Sequence, residues 1–531
     1  MQIEYVLDYD VLSVERDHRV YLLAKIKAKS APQQRTRLPL NLSVVLDRSG
    51  SMAGDKLDYV KKATQFLIRH LDPSDYFSLV TYNHEVYVEI PPRQVENKDQ
   101  LSRAVDAFAA GGSTNLSGGW LQGCQLVTNN LDQQRVNRTL LLTDGLANQG
   151  IVEPHRLATL ARQKRDEGIT TTTMGVGMDF NEDLLTQMAS EGGGAFYFID
   201  NPDQTPHIFA EELKDLLKVV GQNLYIGLKL SPYIQAVQQL NTYPIDYQSR
   251  QEVRFRLGDI YSDELKTLMV TLSIPSLKTL GSVEIAQLSF EYDEILADRT
   301  EHRSLSFPIQ VNVVSDQAAK SDPKPEVVRV ALMLEAARAR EQAIRHADKG
   351  EFKDARDKLN QAADAIADAQ IDDEELQVEH NMLREEAMDM EIGSQRYDAY
   401  SRKSSTSKIH YSTQRVRREE TVFVHTRLKA SREAFERHGE TPRFIKWKRE
   451  QLVLDMDVLR IGRAGDNDIV IHESDVSEYH CQIVRQGDIL YLEDLNSTNG
   501  TFANGGRVEK AFQLSVGDVV TVGKWLFMFT Y

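Results

Sequence analysis

The sequence predicts a multidomain chain: a doubly wound α/β unit inserted in a β-sandwich, then a helical hairpin, then a C-terminal all-β sandwich. Three observations carry this. Over residues 38–205, strand-like and helix-like segments alternate, which implies βαβ units around a mostly parallel sheet. The flanking stretches, 1–37 and 212–316, carry alternating β patterns only. Beyond Pro325 apolar residues recur at helical spacing, and residues 443–531 return to short strands and turns.

Each element follows from its local pattern. Ile3–Leu7 and Val20–Ala28 are β-rich, with a turn-like Glu15-Arg16-Asp17 between them. Residues 30–37 are polar, contain Pro32 and read as a connection. Leu40–Leu46 is a near-continuous apolar run, as in a strand covered on both faces. The alternation continues through Leu57–Leu71, Asp75–Tyr82, Leu101–Phe108, Leu116–Asn129, Arg138–Leu142, Pro154–Glu167, Thr170–Val176, Asn181–Ser190 and Ala195–Ile199. Later strands, from Asn223–Leu230 to Ser304–Val314, read as antiparallel and are expected to pair with residues 1–37 in one discontinuous sandwich. Lys320–Pro325 is a hinge. Residues 326–392 form a helical hairpin with a third helix through Leu376 and Leu383, similar to one unrepeated tetratricopeptide-type unit. Residues 393–442 read as a basic linker, since about 15 Lys/Arg face about 7 Asp/Glu from Arg396 to Glu450.

Composition narrows the function. The 531 residues are 41% apolar and 27% charged, which fits a globular chain. A net charge of −16 argues against nonspecific nucleic-acid binding. No apolar run approaches the ~20 residues that span a bilayer, and Met1-Gln2-Ile3-Glu4-Tyr5 has neither a basic region nor an apolar signal core. The expectation is a cytoplasmic protein without a membrane partner. Two cysteines, Cys124 and Cys481, make neither a disulfide framework nor a four-cysteine zinc site.

After the apolar run comes Asp47-Arg48-Ser49-Gly50-Ser51, a strand-to-helix turn at the end of the sheet where ligands usually bind. Asp47, Ser49 and Ser51 can converge if the turn wraps around a point. Their carboxylate and hydroxyls are hard donors suited to Mg²⁺. Thr114, in the loop Gly111–Asn115, and Asp144, after the apolar strand Arg138–Leu142, lie at the same sheet end. In this arrangement residues 38–205 resemble a von Willebrand factor type A domain. The resemblance implies a metal-ion-dependent adhesion site made of Asp47, Ser49, Ser51, Thr114 and Asp144. It would bind Mg²⁺, with Mn²⁺ or Ca²⁺ as alternatives, and leave one metal position for an acidic residue of a partner protein. Enzymatic readings lack their residues. No second Asp follows Asp47 by two positions, no Gly-x-Ser-x-Gly elbow is present, and no Gly-Lys-Ser/Thr follows Gly192-Gly193-Gly194. No nucleophile, base and orienting group come together, so the chain is expected not to be an enzyme.

The C-terminal segment contains Ile461-Gly462-Arg463, then Val476-Ser477-Glu478-Tyr479-His480, then Asn496-Ser497-Thr498-Asn499-Gly500. An arginine forks onto a phosphate, hydroxyls donate to its remaining oxygens, and an asparagine amide holds a peptide backbone. Residues 443–531 resemble a forkhead-associated domain. The resemblance implies phosphothreonine-peptide binding, with Arg463, Ser477 and Thr498 on the phosphate and Asn499 on the peptide backbone. Gly462, His480 and Gly500 would be architectural. Glu478 departs from the family, which usually carries a basic or polar residue there.

The expected function is a scaffold or adaptor with two protein-binding sites, one metal-dependent and one specific for phosphothreonine. The alternative is an accessory subunit of an AAA+ ATPase chaperone or metal-insertion machine. The phosphothreonine partner could be the chain's own linker, through Thr406, Thr413, Thr421 or Thr426, with Thr406 or Thr413 favoured.

Overall fold

The computed structural model describes residues 1–530 apart from 29–36, 201–204, 233, 235, 263, 297–299, 317–321, 394–396, 415–440, 448–449, 474–475, 504–505, 509, 517 and 524. The chain forms two compact units, one of residues 1–53, 68–198 and 212–418 and the other of 54–67, 199–211 and 419–531.

The expected sandwich is discontinuous as the sequence implies. One sheet runs Gln2–Leu7, His18–Lys27, Leu265–Ile274, Ala236–Gln239. The other runs Ile245–Tyr247, Glu252–Tyr261, Val219–Leu230, Gly281–Ile295, Thr300–Val314, Val11–Ser13. His18–Lys27 pairs antiparallel with Leu265–Ile274 over ten positions, so strands on either side of the α/β insertion share one ladder. Val20, Leu22, Ala24 and Ile26 meet Ile226, Leu228, Phe255 and Phe290 in its core.

The inserted sheet has the order Val86–Gln94, Tyr76–Tyr82, Leu40–Asp47, Val136–Thr143, Thr170–Val176, Gly193–Ile199. Leu40–Asp47 pairs in parallel with both neighbours, and Val86–Gln94 is an antiparallel edge. All eight residues of Leu40–Asp47 and of Val136–Thr143 are buried, as expected of central strands covered on both faces. The helices of this region are α1 (Asp55–His70), α2 (Lys98–Asp106), α3 (Leu116–Thr128), α4 (Pro154–Asp166), α5 (Glu182–Gly192) and α6 (Thr205–Leu216). α3 starts at Asn115, whose side chain accepts from the Gly118 N–H. Gly123 lets α3 lie close on the sheet, because a Cβ there would fall 2.3 Å from Val45 Cγ2. The close fit places the N-terminus of α3, and the loop before it, at the end of the strand that ends in Asp47.

One apolar-looking strand hides a cation. Arg138 is fully buried, and its guanidinium donates to Glu212 (3.1 Å), Thr172 (3.1 Å) and Asp259 (2.6 Å). Tyr197 Oη also donates to Glu212, at 2.8 Å. Arg138 and Glu212 belong to the α/β insertion and Asp259 to the sandwich, so the cluster ties the two bodies together.

The hairpin is α7 (Pro325–Ala347), α8 (Phe352–Asp368) and α9 (Glu374–Ile392), packed through Ala343, Ala355, Leu359, Ala363, Leu376 and Leu383. Arg340, buried on α7, is held by Glu379 and by Glu386 at 2.8 Å, both on α9. The reading of residues 393–442 as a linker requires correction. Residues Ala399–Gln414 are helix α10, packed against α7 and α5, while 415–440 lie outside the described residues. Asp398 caps the helix by accepting from the Ser401 N–H at 2.8 Å. Thr413 is 1% exposed, donates to the Ile409 carbonyl (2.8 Å) and shares a hydrogen with the Thr242 hydroxyl (2.8 Å). It is therefore not the exposed linker threonine expected. Thr421 and Thr426 lie outside the described residues.

The C-terminal unit's sandwich has one sheet of order Glu450–Val453, Phe444–Trp447, Trp525–Thr530, Val519–Val522, Thr501–Ala503, Gly506–Arg507. The other is Ile469–Val470, Val458–Gly462, Cys481–Gln486, Ile489–Asp494, Phe512–Leu514. Ile445, Ile461, Ile483, Leu492, Val520, Phe527 and Phe529 fill its core.

Candidate functional site

At the C-terminal end of the parallel sheet, Asp47 ends one central strand and Asp144 follows its neighbour, so strand pairing alone brings both carboxylates to one place. Each is fully buried. Asp47 accepts from the Ser49 N–H (2.8 Å) and from Thr143 Oγ1 (2.6 Å). The Ser49 and Ser51 hydroxyls are 3.1 Å apart, and Ser51 Oγ donates to Asp144 Oδ1 at 2.7 Å. Gly50 N–H donates to the Gly112 carbonyl and Gly111 N–H to the Arg48 carbonyl, which staple the first turn to the loop before α3. Thr114 Oγ1 and Ser51 Oγ lie 3.6 and 3.7 Å from one point beside Gly145. The structure thus brings together Asp47, Ser49, Ser51, Thr114 and Asp144.

This oxygen set fits a hard divalent cation. Burial pushes the Asp47 carboxyl above the usual carboxylate range. The nearby Asp144 charge adds to this, against the bonds from Thr143 and Ser49. Arg48, between two of the donors in sequence, stacks its guanidinium 3.9 Å over the Tyr87 ring and lies 3.8 Å from Glu89. Its charge is thereby committed elsewhere. Two buried carboxylates facing hydroxyls gain from a cation between them, and with no more than two anionic donors such a cation keeps net positive charge.

Sequence reasoning missed two residues that shape the site. Thr143 aims Asp47. Asn148 accepts from the Thr114 N–H at 2.9 Å while its own N–H donates to the Thr114 carbonyl. The signal for Thr143 was its place directly before Asp144. For Asn148 there was none, because its loop has no periodicity.

In the C-terminal unit, Arg463, Ser477 and Thr498 come from separate turns and meet. Arg463 N–H donates to the Ser477 carbonyl (2.9 Å), and its Nε donates to the Val476 carbonyl (3.2 Å). Thr498 N–H donates to Ser477 Oγ at 3.0 Å, and the two hydroxyl oxygens are 3.4 Å apart. Asn499 is exposed in the same turn as Thr498. His480 is fully buried beneath them. The Ser477 N–H donates to its Nδ1, so Nε2 carries the hydrogen and donates to the Gly500 carbonyl at 3.1 Å. A Cβ on Gly462 would fall 2.3 Å from the Glu478 carbonyl, and Gly500 has φ +84°. These three residues set the turns. Asp494, missed in the sequence, holds the third turn by accepting from Ser497 and Thr501 hydroxyls (2.6 and 2.5 Å). Glu478, the departure, places a carboxylate oxygen 3.9 Å from Arg463 Nη2.

Cys124 and Cys481 are buried and pushed up to about 12 by burial, which leaves neither nucleophilic at neutral pH.

The chain contains a von Willebrand factor type A domain, matched over residues 41–211, and an FHA domain, matched over residues 459–523. Together these domains make it a protein-interaction module. Among solved structures it is similar to a von Willebrand factor type A protein from Catenulispora acidiphila, with TM-score 0.60 and 16% identity over 78% of this chain and 97% of that one. The ArnB paralog VWA2 from Sulfolobus acidocaldarius is similar with TM-score 0.53 and 14% identity, over 78% and 98%. Both likenesses concern the fold. Among curated proteins, uncharacterized protein sll0103 of Synechocystis sp. is 29% identical over 324 residues, 60% of this chain and 75% of its own. YfbK of Escherichia coli is 26% identical over 299 residues. Inter-alpha-trypsin inhibitor heavy chain H4 of Homo sapiens is 24% identical over 314 residues. The chain spans 51% of YfbK and 33% of the heavy chain. Among the described residues no helix is long and apolar enough to cross a membrane.

Proposed function

We propose that this chain is a non-catalytic adaptor that joins two protein partners. The type A domain would hold Mg²⁺ through Asp47, Ser49, Ser51, Thr114 and Asp144 and take an acidic side chain of one partner at the open metal position. The FHA domain would take a phosphothreonine segment of another, with Arg463, Ser477 and Thr498 on the phosphate and Asn499 on the peptide backbone. The observation that carries the reading is the hydrogen-bonded chain from Ser49 through Ser51 to Asp144 beside buried Asp47. Hard oxygen donors converge there with an excess of negative charge, which is what a small divalent cation requires. The metal supplies a positive point charge that an anionic partner group can satisfy, and the chain's residues fix where that point lies. Affinity purification with wild type beside Asp47→Ala and Arg463→Ala tests the reading. Each variant should lose a different set of partners. Identical partner sets for all three chains would overturn it, and a hexameric ATPase lost with Asp47→Ala would place the adaptor on a motor instead.

A further inference from the structure

Helix α10 looks like a linker in sequence and behaves as a strap in the fold. It touches three bodies of the first unit. Toward α5, Arg402 donates to Glu182 (2.5 Å) and Asp183 (2.9 Å), and Lys403 donates to Glu182 and to the Phe180 carbonyl (2.6 Å). His410 accepts from the Phe196 N–H at 3.3 Å, and Tyr400 packs edge-on to Phe198. Toward the helical hairpin, Arg402 reaches Asp348 (3.0 Å) and Lys408 reaches Glu386 (2.8 Å). Toward the sandwich, Asn241 donates to the Thr413 carbonyl at 3.0 Å. Basic side chains of the strap thus sit among carboxylates of what it fastens.

We propose that Thr406 is a phosphorylation site and that its phosphorylation releases α10. Thr406 is half-buried, and its hydroxyl makes no hydrogen bond among the described residues, whereas Thr413 is buried and bonded twice. Arg402 lies four residues and Lys403 three residues before it, so all three share one helical face. The modification transfers the terminal phosphoryl group of a nucleoside triphosphate to Thr406 Oγ1 through a separate Ser/Thr kinase. The bond to the nucleoside diphosphate breaks, and the hydroxyl proton leaves to the kinase's base. A dianionic phosphate one turn from Arg402 and Lys403 competes for both cations with Glu182, Asp183 and Asp348. It also repels those same carboxylates. Both effects oppose docking. Once released, the segment presents a phosphothreonine of the class proposed for the Arg463 site. That consequence rests on the proposed function, whereas the release does not.

The test compares the full chain before and after treatment with a basophilic Ser/Thr kinase and ATP, alongside Thr406→Glu and Thr406→Val, with a peptide of residues 399–414 as a kinase control. Site mapping should find phosphate on Thr406 and not on Thr413. Hydrogen exchange of α10 and of the Phe196 amide should quicken about tenfold or more in the phosphorylated chain and in Thr406→Glu, and stay unchanged in Thr406→Val. A kinase that modifies Thr406 in the peptide but not in the chain would overturn the proposal. So would a phosphorylated chain whose α10 exchanges as before. Arg463→Ala should leave this readout unchanged, so failure here leaves the phosphopeptide reading standing, and the reverse holds.

Discussion

Replacing Glu478 should tighten phosphothreonine-peptide binding. Its carboxylate lies 3.9 Å from the Arg463 guanidinium, and the two side chains are 69% and 47% exposed. A bound phosphate must share Arg463 with that carboxylate and sit beside its charge. At this separation two unit charges in water interact by about 1 kcal/mol. Ions of physiological buffer, with a screening length of about 8 Å, reduce this, and measured exposed pairs fall at about 0.2–1 kcal/mol. Glu478→Gln removes the charge and keeps the shape, so affinity should rise roughly two- to fivefold, and Glu478→Arg should gain at least as much. Fluorescence anisotropy with labelled phosphothreonine peptides on the full chain, at low and high salt, reads the effect. The gain should shrink at high salt because both charges face water. Equal affinities for wild type and both variants would refute the reasoning, because they would mean that Glu478 leaves Arg463 free for the phosphate.

Three further outcomes follow from packing and charge. Arg138→Met should destabilise the first unit by about 3–5 kcal/mol, since it leaves Glu212 and Asp259 buried without their cation; chemical denaturation showing a loss below about 1 kcal/mol would contradict this. Gly462→Ala should cost about 1–3 kcal/mol by driving a methyl into the Glu478 carbonyl and should weaken phosphopeptide binding through the displaced Ser477 turn; thermal melts and peptide titration check both. Burial alone would raise the Glu386 carboxyl, but Arg340 and Lys408 more than offset it and hold it at about 2, below its ordinary 4.5. Its contribution, on the order of 3 kcal/mol, is therefore full above about pH 4.5 and lost as pH falls toward 2, which denaturation of wild type and Glu386→Gln across that window should show.

The sequence made the α/β insertion legible because its central strands are buried on both faces, so that Leu40–Leu46 appears as a near-continuous apolar run. The convergence of Asp47, Ser49, Ser51, Thr114 and Asp144 was equally legible, since each lies at the end of such a strand, in the loop after one or just before a helix. α10 was not. It docks through Arg402, Lys403, Lys408 and small hydroxyl residues rather than an apolar stripe, and a helix held by ions has the composition of a solvated linker. Arg138 was hidden for the opposite reason. Its neighbours Leu140–Leu142 set the reading of the strand, and its partners Glu212 and Asp259 lie 74 and 121 residues away. In the C-terminal unit the turn residues were visible one by one. The closeness of Glu478 to Arg463 required the fold, because 15 residues separate them in sequence while the turns bring them together.

Isothermal titration of Mg²⁺ and Mn²⁺ into the full chain, with Asp47→Ala beside wild type, tests the central claim most directly. Wild type should bind saturably at 1:1 and Asp47→Ala should not, with that variant's own fold retained by circular dichroism. Absence of divalent-cation binding to wild type at millimolar concentration, or equal binding by the Asp47→Ala variant, would contradict the claim.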